Sequence, residues 1–121
     1  MRSIAIASGK GGVGKTSFVI NLALALTQYH QKVLIFDADL GLANVDVMLG
    51  ISPKFDIRYV INGELNLKEI VYSTEYDFDL IPASSGVVEL THLNSNQKIL
   101  LKDQMEEVFK KYDYLLFDSS A

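Results

Sequence analysis

Apolar positions along the chain fall into two kinds of run. Residues 3–8, 32–37, 78–82 and 114–118 are short stretches, apolar almost throughout. Lys32-Val33-Leu34-Ile35-Phe36-Asp37 and Tyr114-Leu115-Leu116-Phe117-Asp118 are β-branched, leucine-rich or aromatic and end in a carboxylate, and Pro82 stops the third stretch. Such runs predict strands covered on both faces. Residues 16–29 form a longer run in which Phe18, Val19, Ile20, Leu22, Ala23, Leu24, Ala25 and Leu26 are all apolar. Strong helix formers fill its second half, which predicts a helix buried on most of its faces. A short helical piece is expected over 44–49, closed by Gly50. After Pro53, helical signals recur near 57–61 and 67–71. From Asn96 the spacing of Leu101, Met105, Val108, Phe109 and Tyr112 puts one apolar stripe on a helix, with Lys102, Glu106 and Lys110 outside it.

Strands alternating with helices imply an α/β fold with a mostly parallel sheet between two helical layers. Ligands of such sheets sit beyond the carboxyl ends of the strands. The 121 residues suffice for one core, but the chain stops three residues after the fourth predicted strand, before any covering helix. Residues 1–121 are therefore expected to be the N-terminal part of a single domain, truncated after that strand.

Composition narrows the field. The net charge of −4 gives no global attraction to nucleic acid or an anionic membrane. The absence of cysteine excludes disulfides and cysteine-held iron–sulfur clusters. The start, MRSIAIASGKGG, has too short an apolar core for a secretory signal, and no stretch approaches the roughly 20 apolar residues needed to span a bilayer. A soluble, cytoplasmic protein is expected.

The chemistry concentrates in Gly9, Lys10, Gly11, Gly12, Val13, Gly14, Lys15 and Thr16, which match G-x4-G-K-[ST] between a predicted strand and a predicted helix. Glycines let successive backbone N–H groups converge on phosphate oxygens, and the helix that follows adds its positive N-terminal end. Lys15 is expected to reach the β- and γ-phosphates and the Thr16 hydroxyl to ligate Mg²⁺, with Ser17 next in the nucleotide-binding run. Lys10 stands where the motif needs no lysine. It is either a solvated surface residue or a second cation that stabilises charge in the transition state, as an arginine finger does.

Asp37 and Asp39 follow the second strand, where one carboxylate can hold Mg²⁺ through water and another can orient the attacking water. Without the glycine loop, that pair would read simply as polar residues ending a strand. Asp118, after four apolar residues, has the Walker B form of a strand-end carboxylate aimed at the metal. His30 and His92 have no ligand-like spacing and read as surface or packing residues.

The motif KGGVGKT, with its early lysine, resembles the deviant Walker A of the MinD/ParA ATPases. The runs VLIFDADLGLANVDVMLGI, IPASSGVVELTHL and YDYLLFDSSA look like their FlhG (FleN or YlxH) branch, which positions and counts flagella. The resemblance implies a P-loop NTPase of the SIMIBI class, with ATP and Mg²⁺ as cofactors. Lys10 would reach ATP across a face-to-face homodimer. Asp37 would lie in the metal's outer shell, Asp39 would orient the hydrolytic water, and Asp118 would be the switch II carboxylate. ATP would pair the subunits and hydrolysis release them.

Implied partners are an SRP-type GTPase of the FlhF kind and flagellar components, with no nucleic acid. Peripheral inner-membrane contact would come only through a C-terminal helix that this sequence lacks. In that topology the P-loop strand is flanked on one side by strands missing here. Two departures stand out: switch II reads Asp118-Ser119-Ser120-Ala121, and no GTPase-activating segment precedes the P-loop. The leading reading is an ATP-hydrolysing dimerisation switch. The alternatives are a nucleotide- or partner-binding module without hydrolysis, and a MinD- or ParA-type ATPase of cell division or DNA segregation.

Overall fold

The computed structural model describes residues 2–7, 13–38, 45–82 and 93–119. Its strands are β1 (Arg2–Ala7), β2 (Val33–Ala38), β3 (Tyr72–Ser73), β4 (Asp79–Pro82) and β5 (Tyr114–Ser119). Its helices are α1 (Val13–Gln28), α2 (Val45–Leu49), α3 (Ile57–Ile61), α4 (Leu67–Ile70) and α5 (Ser95–Phe109). The strands make one sheet in the order β1-β5-β2-β4-β3, with β1, β5, β2 and β4 parallel and β3 antiparallel to β4.

Successive residues of each central strand feed opposite faces, as the strand period of two requires. Val33, Ile35, Leu80 and Leu116 pack with Val19, Ile20 and Ala23 of α1 and with Val45 of α2. Leu34, Phe36, Ile81 and Leu115 pack with Ile57, Val60, Leu67, Ile70 and Val108 of α3, α4 and α5. Two cores, one per face, explain why these strands read as unbroken apolar runs. Fully burying each such side chain contributes about 1.5–3 kcal/mol before entropy is counted.

Helix α2 ends as Gly50 predicts. Gly50 takes φ +69°, its N–H donates to the Val47 carbonyl at 3.2 Å, and the Ile51 N–H donates to the Asp46 carbonyl at 3.0 Å. That double bond is the Schellman closure, and it favours glycine at the left-handed position. Helix α5 begins one residue earlier than its apolar stripe suggests, because Asn94 caps it. The Asn94 side chain accepts from the Gln97 N–H at 2.8 Å, and the Gln97 side chain accepts from the Asn94 N–H at 2.9 Å.

Three expectations need correction. Helix α1 is not buried on most faces: Val19, Ile20 and Ala23 face the sheet, but Phe18 is 57% exposed and Asn21, Ala25 and Gln28 are exposed beside it. A helix lying on one sheet face has only that side covered, whatever residues stand on the other. The two-residue strand β3 was not anticipated. It forms as the first arm of a hairpin with β4, in which Thr74 donates through its N–H and its hydroxyl to the Phe78 carbonyl at 3.1 and 2.6 Å.

Tyr112, placed on the helical stripe by spacing, lies beyond the end of α5. It still packs on the α5 face of the core, and its hydroxyl donates to Asp79 Oδ2 at 2.5 Å. Burial, helped by the hydrogen bond to Asp79 and by that carboxylate's charge, pushes the phenol well above its ordinary value of 10.0. In the unfolded chain the phenol ionises near its ordinary value, while the folded chain holds the proton to higher pH. Stability should therefore fall as pH climbs past about 10, by up to about 1.4 kcal/mol per pH unit from this group. Tyr112→Phe should flatten that decline in urea denaturation between pH 9 and 11. Equal slopes for the two proteins would contradict the role given to Tyr112.

Among the described residues, no helix is long and apolar enough to cross a membrane. His30 sits exposed in the turn after α1 with φ 61°, and His92 lies outside the described residues.

Candidate functional site

Parallel pairing brings the carboxyl ends of β1, β5 and β2 to one edge of the sheet. Ile6 and Asp37 both stand opposite Asp118, and Ala7 and Ala38 both stand opposite Ser119. Asp118 is thus central, between the strand that leads towards the glycine motif and the strand that carries Asp37 one residue before its end. The chain leaves β1 at this edge and re-enters the described structure as α1, whose first turn carries Gly14, Lys15 and Thr16.

Four polar side chains are buried at this point: Lys15 at 9% exposure, Thr16 at 0%, Asp37 at 1% and Asp118 at 0%. Ionised groups removed from water this fully require partners. Lys15 Nζ lies 2.7 Å from Asp118 Oδ1, and the Thr16 hydroxyl donates to Asp118 Oδ2 at 3.0 Å. Both oxygens of one carboxylate are therefore engaged by two consecutive residues of the phosphate-loop motif. Asp37 is held differently, with its Oδ2 accepting from the Val45 N–H at 3.3 Å, so the end of β2 is tied to the start of α2.

The remaining candidates fall around this group. Gly9, Lys10, Gly11, Gly12 and Asp39 lie outside the described residues. Val13 opens α1, and a Cβ added at exposed Gly14 would meet nothing within 4 Å. Ser17 is partly buried, and its carbonyl accepts from the Asn21 side chain at 2.9 Å. Sequence reasoning placed Lys15, Thr16 and Asp118 at one strand-end site but did not foresee their direct contact. Nor did it foresee the Asp37–Val45 bond, whose partners stand eight positions apart in the chain.

The donor set fits a metal-bound polyphosphate. Thr16, Asp37 and Asp118 offer hard oxygen ligands, and Lys15 at a helix N-terminus offers positive charge for phosphate. Among the described residues no group of three or more His, Cys, Asp or Glu side chains forms a metal cage. Mg²⁺ is usually held by one or two carboxylates together with phosphate oxygens, and Asp37 and Asp118 are two carboxylates at neighbouring strand ends.

A family model described as an AAA domain, AAA_31, matches residues 1–121. The antiactivator FleN of Pseudomonas aeruginosa is 41% identical over 118 residues, covering 98% of this chain and 42% of FleN. The flagellum site-determining protein YlxH of Helicobacter pylori is 40% identical over 118 residues, covering 98% of this chain and 40% of YlxH. The chain thus spans about two fifths of the length of these relatives.

Among solved structures, a chain of the MinC:MinD cell division protein complex of Aquifex aeolicus superposes with a TM-score of 0.77 at 31% identity, over 100% of this chain and 48% of that one. Cobyrinic acid a,c-diamide synthase of Mycobacterium smegmatis, solved with an ATP analog and magnesium, superposes with a TM-score of 0.79 at 25% identity, over 98% of this chain and 50% of that one. With its whole length matched by the family model and FleN, YlxH and MinD as relatives, the chain belongs to the AAA_31 family and, within it, to the MinD/ParA P-loop ATPases on their FlhG side.

Proposed function

We propose that this chain carries the nucleotide site of an ATP-hydrolysing dimerisation switch of the MinD/FlhG type, one that sets flagellar placement and number. The observation that carries the reading is the buried convergence of Lys15 and Thr16 on Asp118, at the strand ends where such folds hold phosphate. The ATP analog and magnesium bound by the cobyrinic acid synthase support the choice of ligand. The name of YlxH supports the flagellar assignment.

In this reading Lys15 and the N-terminal end of α1 bind and orient the phosphates. Thr16 and Asp118 hold Mg²⁺, with Asp37 in its outer shell, and the metal when bound neutralises charge on the β- and γ-phosphate oxygens. Asp39 orients the attacking water, and Lys10 of a second copy neutralises charge developing in the transition state. The protein works in the cytoplasm, with an FlhF-type GTPase and flagellar components as partners.

The test is equilibrium binding of a fluorescent ATP analogue with Mg²⁺ to the wild type and to Lys15→Ala, with oligomer size and phosphate release recorded. Saturable binding lost in the variant is expected. Binding without phosphate release would leave a nucleotide-binding module, and binding unchanged in Lys15→Ala would remove the phosphate site altogether.

A further inference from the structure

Leu100 of α5 is 57% exposed, yet it stands between two hollows rather than on open surface. The first, of about 190 Å³, has apolar walls of Val60 and Ile61 from α3, with Leu93 and Leu101 opposite. The second, of about 330 Å³, reaches from Asn66 and Lys68 at α4 to Val108 of α5. Leu100 and Gln104 line both, so the hollows form one groove between α5 and the α3–α4 pair. A cavity of about 150 Å³ already takes a benzene-sized group, so each hollow has room for an aliphatic side chain.

The walls are held in place. Gln104 accepts from the Leu67 N–H at 2.7 Å, and Gln97, beside the first hollow, closes the capping box with Asn94. A groove whose walls are already fixed loses little side-chain freedom when it is filled. Along α5 the first hollow spans residues 97–104 and the second 100–108, an offset of about one turn, or about 5 Å. Apolar side chains at i and i+4 of a helix are about 6 Å apart along its axis, so one amphipathic helix reaches both hollows.

The rim has a prevailing sign. Exposed Glu64 follows Gly63 of the first hollow, and Asp103 and Glu107 line the second, with Lys68 opposing them. Lys110 stands 3.8 Å from Glu107 with both side chains in solvent, while Lys98 and Lys102 flank a different hollow. The groove is also remote from the Lys15–Asp118 cluster in its packing. Helices α3, α4 and α5 share their core with Leu34, Phe36 and Leu115, whereas α1 packs on Val33, Ile35 and Leu116 of the other sheet face.

We propose that this groove docks a basic amphipathic helix of a partner protein. Two apolar side chains one turn apart enter the hollows on either side of Leu100, and lysine or arginine faces Glu64, Asp103 and Glu107. A second copy of this chain is a poorer occupant, because pairing the same face with itself would bring two acidic rims together.

The experiment is fluorescence anisotropy of the 121-residue chain with two labelled model peptides. Both are end-capped alanine-based helices with leucine at i, i+4 and i+7. One carries lysine at the flanking positions and the other glutamate. The wild type is compared with Leu100→Asp and with the double variant Asp103→Lys, Glu107→Lys. All three positions are exposed, and circular dichroism and sedimentation check fold and size. Leu100→Asp makes the chain more acidic, so general attraction for a cationic peptide would rise while docking in the groove would fall.

The wild type should bind the lysine peptide saturably and prefer it to the glutamate peptide. Leu100→Asp should weaken that binding by at least about tenfold, the scale of losing a central contact residue. The double charge reversal should invert the preference between the peptides. Equal or tighter binding of the lysine peptide by folded Leu100→Asp would overturn the proposal. So would a wild type that binds neither peptide or favours the glutamate one. A wild-type dimer that Leu100→Asp disperses would make a second copy the occupant and overturn the partner proposed.

Discussion

Lys10→Ala is expected to lower ATP turnover by about 10³-fold or more, the scale set by removal of an arginine-finger cation. Nucleotide binding should survive, because Lys15 and Thr16 remain to hold the phosphates. The loss belongs to the transition state, where charge spreads over the transferred group and a second cation has most effect.

If Lys10 acts across a symmetric pair, two inactive proteins should rescue each other. An Asp39→Ala subunit still offers Lys10 to its partner, and a Lys10→Ala subunit still orients water in its own site. Equal mixing makes half the pairs heterodimers, each with one complete site, so phosphate release should recover to about a quarter of the wild-type rate. No recovery, with mixed pairs demonstrated by tagged pull-down, would place Lys10 in its own subunit's site. Unchanged turnover in Lys10→Ala alone would return it to the class of solvated surface lysines.

The second large effect is on stability. Lys15→Met removes the cation beside a carboxylate with no exposure, and Asp118 on its central strand is too short to reach water. Breaking a buried pair from one side costs about 3–5 kcal/mol. Asp118→Asn should cost less, about 1–3 kcal/mol, because the long lysine stem lets the ammonium turn towards solvent. The double variant removes both charges and keeps an acceptor for Thr16. It should therefore be more stable than Lys15→Met alone, a sign reversal that additive effects cannot produce. Urea midpoints for the four proteins of this cycle would measure the coupling, and simple addition of the two single losses would refute it.

The legible parts of this protein are those where a local pattern has one physical meaning. Strands β2, β4 and β5 could be read because both their faces are covered, so Val33 to Phe36 and Leu115 to Phe117 show no polar interruption. The strand and the helix on either side of the glycine motif could be read because glycine spacing, a lysine and a threonine coincide between two apolar runs. Patterns misled where a residue's type does not reveal its surroundings. Phe18 and Ala25 look like core residues, yet they lie on the side of α1 away from the sheet. Tyr112 continues the apolar stripe of α5 by arithmetic, although the helix has already ended. Strand β3 is two residues long and carries no period at all. The contact of Thr16 with Asp118 spans 102 positions, and nothing local in the sequence marks it.

That same span has a consequence in time. Strand β1 has β5 as its partner, so Arg2 pairs with Tyr114 and Ala7 with Ser119. Strand β1 must therefore wait for β5. At a typical elongation rate of about 5–20 residues per second, the delay is on the order of 5–20 s. The thermodynamic penalty of so long a closure is small, about 0.6 kcal/mol for each doubling of the loop, but the kinetic exposure is not. Until Asp118 has left the ribosome, Lys15 and Thr16 lack the carboxylate that joins them, and β1 has no neighbour to align it. Assembly of the Lys15–Thr16–Asp118 cluster thus waits for β5, and a stalled nascent chain that ends before β5 is one in which that cluster cannot form.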